Sequence, residues 1–331
     1  TDAAVELTDL RIRNNHASAT YSSFGGGVWA ELDGTERLEI TGCEITSNSA
    51  TVTSGTGAVV GGGLMIAVSG SASFLVEDSW AEENTIASDT ARKQGSGQSF
   101  SLIGDSSGEV IDFRVTNNTA SGTNAQVTGS GGFIGLWDNA AITVRQSAWA
   151  LNSDLTAGSS EQSRVVCYGG SSLLITDTGV VLGDQDGLDV YATDTAEARL
   201  VNLSVADNTL TGMRFSAAGS ATASLYNTIS HGNGTDTQID ASVATGSNLV
   251  GVDPLFMSPG PPDFNYRLDA GSPGLDAGTN APPGGLGPVD LDGRPRIENG
   301  TVDIGCYEGA GLIFLEDFES GGTGDWSDTV P

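Results

Sequence analysis

Hydrophobic residues recur in spaced pairs along this chain, and each set of pairs ends at an asparagine. Asn15, Asn48, Asn84, Asn118 and Asn152 are 33, 36, 34 and 34 residues apart. The positions ten, eight, five and three residues before them are Val5, Leu7, Leu10, Ile12; Leu38, Ile40, Cys43, Ile45; Phe74, Val76, Ser79, Ala81; Gly108, Val110, Phe113, Val115; and Ile142, Val144, Ser147, Trp149. Seventeen of these twenty are hydrophobic, against four of the twenty interleaved positions, in a chain that is 38% hydrophobic. Asn208, outside the series, gives Ala198, Leu200, Leu203 and Val205 in the same places.

Alternation with a period of two is the signature of a strand with one face inward. The two pairs predict two short strands, and the phase break between them predicts a bend that keeps both facing one core. The asparagine falls at a corner, where its amide can bond backbone and where a left-handed conformation is tolerated. Stacked corners would build an amide ladder. After each asparagine a polar stretch leads to glycines and a third apolar strand, as in Gly25-Gly26-Gly27 before Val28-Trp29-Ala30, Gly61-Gly62-Gly63 before Leu64-Met65-Ile66, and Gly187-Leu188-Asp189-Val190. Three strands and a variable loop in 24–36 residues predict an all-β parallel β-helix. Helical repeats are excluded by the period, and a propeller blade needs about 40 residues and four strands. About nine coils fit before Ile239, a stack roughly 40 Å long at the strand-pairing distance. Right-handed winding is expected by analogy with known folds and from the parallel-crossover preference.

These segments resemble right-handed parallel β-helix repeats of the pectate-lyase-like superfamily. A second block is more specific: Asp253-Pro254-Leu255-Phe256, Ser272-Pro273-Gly274-Leu275-Asp276-Ala277-Gly278, Asp290-Leu291-Asp292-Gly293-Arg294-Pro295-Arg296 and Val302-Asp303-Ile304-Gly305-Cys306-Tyr307-Glu308. It is similar to the closing region of bacterial choice-of-anchor Q β-helix proteins, with Cys306 where that family usually has a small residue. The resemblance implies an extracellular or bacterial cell-surface location and no single reaction. It divides the chain into a solenoid (1–246), a Pro/Gly-rich C-terminal cap expected to fold over the last coil (247–309), and a tail (310–331) that resembles a sorting or docking element.

Charge narrows the partners. The 331 residues carry 13 Lys and Arg against 42 Asp and Glu, a formal charge of −29. Nucleic acid and anionic membranes are disfavoured, since both require clustered cations, and no stretch approaches the roughly 20 apolar residues of a membrane span. The three cysteines, Cys43, Cys167 and Cys306, match no zinc spacing and read as small buried residues. The first coil begins in register at Val5, so its open edge is a candidate for pairing with a second copy.

Candidate chemistry centres on Asp184, Asp186 and Asp189. Shifting Gly187 by 25 residues onto Gly212 places Asp189 beside Arg214 on the next coil. A polysaccharide lyase needs a base and a cation against the uronate, which Asp189, Arg214 and Ca²⁺ held by Asp184 and Asp186 could supply. A glycoside hydrolase needs two carboxylates about 5–9.5 Å apart. The competing expectation is a structural ion pair between coils, and no cofactor is required. Trp29 and Tyr191 are candidate sugar-binding residues; Trp80 and Trp137 offer further stacking faces, while Trp149 falls in the inward register. Asp290-Leu291-Asp292-Gly293 reads as a turn whose Arg294 or Arg296 pairs with a carboxylate. The leading expectation is a structural, adhesive or glycan-binding surface module that binds extracellular polysaccharide or cell-surface glycan; the alternative is a polysaccharide lyase or glycoside hydrolase.

Overall fold

The computed structural model describes residues 3–123, 126–156, 161–260 and 263–309; the 310–331 tail lies outside them. Among the described residues there is no helix, and the strands form long parallel sheets. The longest sheet runs through Ala4–Thr8, Arg37–Thr41, Ser73–Glu82, Ser107–Thr116, Ala141–Arg145, Ser172–Val181, Glu197–Ala206, Thr222–Tyr226 and Ala244–Gly246. A second sheet stacks Val28–Leu32, Leu64–Val68, Gln98–Leu102, Gly132–Leu136, Glu161–Cys167, Asp186–Ala192, Thr211–Ala217 and Thr235–Ile239. Each strand pairs with its equivalent one repeat away, which is the pairing of a β-solenoid.

The inward columns match the pattern in the sequence. Leu7, Ile40, Val76, Val110, Val144, Ile175, Leu200 and Leu225 are register partners in succession, and from Ile40 to Leu225 all are buried in one continuous core. The three polar or small exceptions also point inward. Ser79 and Ser147 sit just after the bend. Each accepts the amide of the preceding coil (Cys43 N at 2.9 Å, Phe113 N at 3.3 Å) and donates to its own bend carbonyl (Glu77 O at 2.8 Å, Arg145 O at 3.0 Å). Gly108 leaves its space to the Phe74 ring, which a Cβ there would meet 2.6 Å from Cε1.

The amide ladder forms. Asn15, Asn48, Asn84 and Asn118 each donate through Nδ2 to the next asparagine's Oδ1 at 3.0 Å, ending on Asn152. Each Oδ1 also accepts the backbone N–H of the previous asparagine, and Nδ2 of Asn48, Asn84, Asn118 and Asn152 donates a second bond to a carbonyl of the preceding coil, 36 to 39 residues back. These buried amides are thus fully paired, the condition for burying polar groups without penalty. The left-handed residue is not the asparagine but its predecessor: Asn14, Ser47, Glu83, Asn117, Leu151 and Asp207 all have φ between 54° and 58°. A coil without an asparagine lies between Asn152 and Asn208, turning at Gly183. There Gln162 reaches in from the second sheet, accepts from Asn152 Nδ2 at 3.2 Å and donates to Asn208 Oδ1 at 3.5 Å.

The stretch after the asparagine, expected to be a variable loop, is ordered β-structure in the first coils. His16–Ala19, Ser49–Val52, Thr85–Ser88, Thr119–Ser121 and Ser153–Asp154 form one sheet; Ser23–Phe24, Ala58–Val60, Arg92–Gln94 and Val127–Thr128 form another. Between them lies a small second core of Ala50, Val52, Val59, Ile86, Ala91, Ala120 and Val127. This lobe accounts for the longer repeat. Coils beyond it lack the two strands and return after 25 residues, as from Asp189 to Arg214.

The segment from 253 to 309, expected over the last coil, makes its described contacts along the outer side of the long sheet. Gln146 Nε2 donates to Asp290 O at 3.2 Å, Cys306 N to Ser204 Oγ at 3.1 Å and Gly305 N to Asn227 O at 2.8 Å; Asn227 also exchanges two bonds with the Thr279 backbone. Beneath it, Thr176, Val201, Ser204 and Ile229 are buried although they point away from the solenoid core. Its anchor is Arg296, itself buried, whose Nε lies 3.2 Å from Asp177 and 3.3 Å from Glu308. Arg296 therefore fills the carboxylate-pairing role expected for that motif. Asp290 closes the turn by accepting the amides of Asp292 and Arg294. All three cysteines are buried and unpaired.

Candidate functional site

The outward residues of the second sheet form columns parallel to the solenoid axis, because the strands stack in register without offset. One column reads Trp29, Met65, Ser99, Phe133, Arg164, Asp189, Arg214, Gln238. Asp189 is therefore beside Arg214 on the next coil, as the 25-residue shift implied. Its direct partner is the arginine on the other side. Arg164 Nη1 lies 2.6 Å from Asp189 Oδ2 and 2.9 Å from Glu161 Oε1. Arg214 instead pairs with Asp186 and donates through Nε to Gln238 Oε1 at 3.1 Å. Asp186 also accepts the amide of Thr211 at 2.7 Å. Burial pushes the Asp189 carboxyl up to about 6, against the pull of the Arg164 guanidinium.

Asp184 does not join this ladder. Its Oδ1 accepts the amide of Asp154 at 3.1 Å, at the end of the lobe, and burial raises its carboxyl. The three aspartates thus face different partners. Among the described residues no three His, Cys, Asp or Glu side chains are grouped to hold a metal ion.

Beside the charged ladder runs an aromatic strip. Trp137 and Tyr168 are equivalent residues on adjacent coils, each amide donating to the carbonyl one coil earlier. Their rings are parallel within 6°, with centroids 6.3 Å apart. Tyr191, on the next coil, meets Tyr168 edge-on at 6.1 Å. Gly135 makes this arrangement possible: a Cβ there would collide with indole Cη2 and lie 2.6 Å from Cζ3. All three rings are half-buried, and Ile103, on the coil before Trp137, is 47% exposed.

The two sugar-binding candidates fall apart in space. Trp29 is on the first strand of the second sheet, 58% exposed and stacked on Phe24 at 5.9 Å. Tyr191 is five strands further on. Trp149 is buried in the core, as its register implied. Sequence reasoning missed Arg164, Glu161 and Tyr168. The signal for Arg164 was present, since applying the same 25-residue shift backward from Asp189 lands on it.

No family model matches the chain, and comparison with curated proteins and with solved structures gives no match. No helix among the described residues is long and apolar enough to cross a membrane.

Proposed function

We propose that the chain is a secreted or cell-surface bacterial module, a right-handed parallel β-helix of about nine coils of the choice-of-anchor Q type, whose work is structural, adhesive or glycan-binding. One observation carries this reading: two of the three carboxylates nominated for catalysis, Asp186 and Asp189, are tied into a ladder of ion pairs, while aromatic rings stand half-exposed beside them. Asp186 and Asp189 each hold a guanidinium within hydrogen-bond reach, and Asp184 serves a backbone amide. Carboxylates so engaged stabilise the stack and orient neighbouring side chains, and partly exposed aromatics suit the apolar faces of sugars.

One feature favours the second reading, a polysaccharide lyase or glycoside hydrolase: an Asp189 carboxyl titrating near 6 suits proton transfer close to neutral pH. A panel of neutral and acidic polysaccharides, with and without Ca²⁺, separates the two. Retention on a polysaccharide without new reducing ends or unsaturated uronides supports the binding module. Turnover abolished by Asp189→Asn and Arg214→Ala would establish the enzyme.

A further inference from the structure

We infer that the strip formed by Trp137, Tyr168 and Tyr191 is a binding subsite for a neutral polysaccharide lying along the solenoid axis. This rests on the glycan-binding reading and adds the place, the direction and the charge of the ligand.

The place follows from packing. Large rings on a solvent-facing sheet usually gain by burying against neighbours. Here Trp137 packs against Gly135, where the missing side chain leaves room for the indole, and Phe133 beneath is 6% exposed. Trp137, Tyr168 and Tyr191 nevertheless remain half-exposed. The contacts between them hold their orientations before any ligand arrives, so little side-chain entropy is lost on binding.

The direction follows from the coils on which the rings stand: Trp137 and Tyr168 are equivalent residues, and Tyr191, the register partner of Val166, stands two residues earlier on the next coil. The rings occupy three successive coils, with centroid separations of 6.3 Å and 6.1 Å. A ligand that uses all three must extend along the axis and present repeated apolar faces. A chain of pyranose rings does this, and its hydroxyls then meet the polar groups that flank the strip. On one side are Glu161, Arg164 and Asp189; on the other are the exposed turn residues Asp138, Asn139 and Asp194.

The charge follows from those flanks. Arg164 is already shared between Glu161 and Asp189, and Arg214 is taken by Asp186. With Asp138 and Asp194 included, the surroundings carry two cations and five carboxylates, on a chain of net charge −29. A polyuronate or sulfated glycan would meet repulsion without a spare guanidinium; an uncharged glycan would not.

The test is affinity electrophoresis and titration calorimetry of the full chain with soluble neutral glucans, mannans and xylans, alongside polygalacturonate and alginate. The neutral set should contain a binder and the anionic set should not. Trp137→Ala and Tyr168→Ala should each weaken that binding tenfold or more, Tyr168→Phe should retain it, and Tyr21→Ala, at an exposed ring on the first coil, should leave it unchanged. A readout independent of mutant folding is protection of tryptophan from oxidation in the unaltered protein, which mass spectrometry should locate at Trp137. Binding of anionic glycans alone would overturn the inference and leave a glycan-binding module standing. So would neutral binding indifferent to Trp137 and Tyr168. Binding of no glycan in either set would overturn both the inference and the reading beneath it.

Discussion

The first coils and the later coils share one interior and differ in what surrounds it. Up to Asn152 each turn carries the extra two-strand lobe, and the 253–309 segment leaves the outer side of the long sheet open except at Gln146, which bonds Asp290. There the outward column after the bend reads Arg11, Glu44, Trp80, Arg114 and Ala148. Beyond Ser153–Asp154 the described residues carry no further lobe strands, and the 253–309 segment lies on the outer side. The same column continues as Gly179, Ser204, Ile229 and Leu249. The bend residues change too. In the open coils Asp9, Asp78 and Asp112 stand there, while in the covered coils Asp177 and Asn227 bond the docked segment and Asn202 bonds Asp177. An identical backbone register thus tolerates charge where water reaches it and demands small, apolar or paired groups where it does not.

Removing the anchor of the covered side should have the largest effect. Arg296→Met removes the buried cation between Asp177 and Glu308 and, above about pH 8 where Glu308 is ionised, should cost about 3–5 kcal/mol, read as a lowered urea midpoint and as proteolysis within 253–309. If the melting behaviour is unchanged, the covering segment does not depend on this cluster.

The ladder common to both regions comes next. Asn118→Ala strands the Asn84 N–H and Nδ2 donors in the buried corner and should cost about 1–3 kcal/mol in equilibrium unfolding. Asn15→Ala, at the exposed end, should cost clearly less. Equal losses would mean that burial does not set the worth of these amides.

A graded effect of pH should distinguish the covered side from the open one. Burial lifts the Glu308 carboxyl to about 8 from an ordinary 4.5, and raises Asp177 and Asp303 in the same direction. The folded state therefore favours the protonated acid. Its stabilising contribution is complete below about pH 4.5, fades as pH rises and is lost through about pH 8. Hydrogen exchange in 253–309 should accelerate between pH 5 and pH 9 beyond the intrinsic rate, and Glu308→Gln should flatten that excess. The open coils should show no such excess.

The smallest effect belongs to the open side. Arg11 and Glu44 pair at 2.9 Å, but the arginine side chain is 69% exposed. Arg11→Ala should change stability by no more than about 0.5 kcal/mol.

Much of the interior was legible in the sequence because a buried column tolerates few residue types: Val76, Val110 and Val144 announce it by spacing alone. The ladder was legible for a related reason, since few side chains can both donate and accept at a tight corner. What escaped depended on groups that do not recur. Gln162 takes over the ladder from ten residues past Asn152, so no column search would align it. The left-handed position before each corner holds Asn, Ser, Glu, Leu or Asp, and no residue type marks it. The lobe strands are short and mostly small, as in His16–Ala19, and read as loop. The course of the 253–309 segment showed only indirectly, as apolar residues at outward places such as Val201 and Ile229. At the candidate site, the proximity of Asp189 and Arg214 was legible from spacing. Their partners were not, because guanidiniums reach across coils in either direction.

The central claim is that equivalent residues of successive repeats lie one directly above the next. Engineered disulfides test it on the open outer face, where Glu39, Leu75 and Glu109 are consecutive register partners and adjacent strands lie about 4.8 Å apart, within disulfide reach. E39C/L75C and L75C/E109C should each cross-link on mild oxidation, and E39C/E109C, which skips a coil, should not. Cross-linking of the skipped pair, or of neither adjacent pair, would contradict the stack.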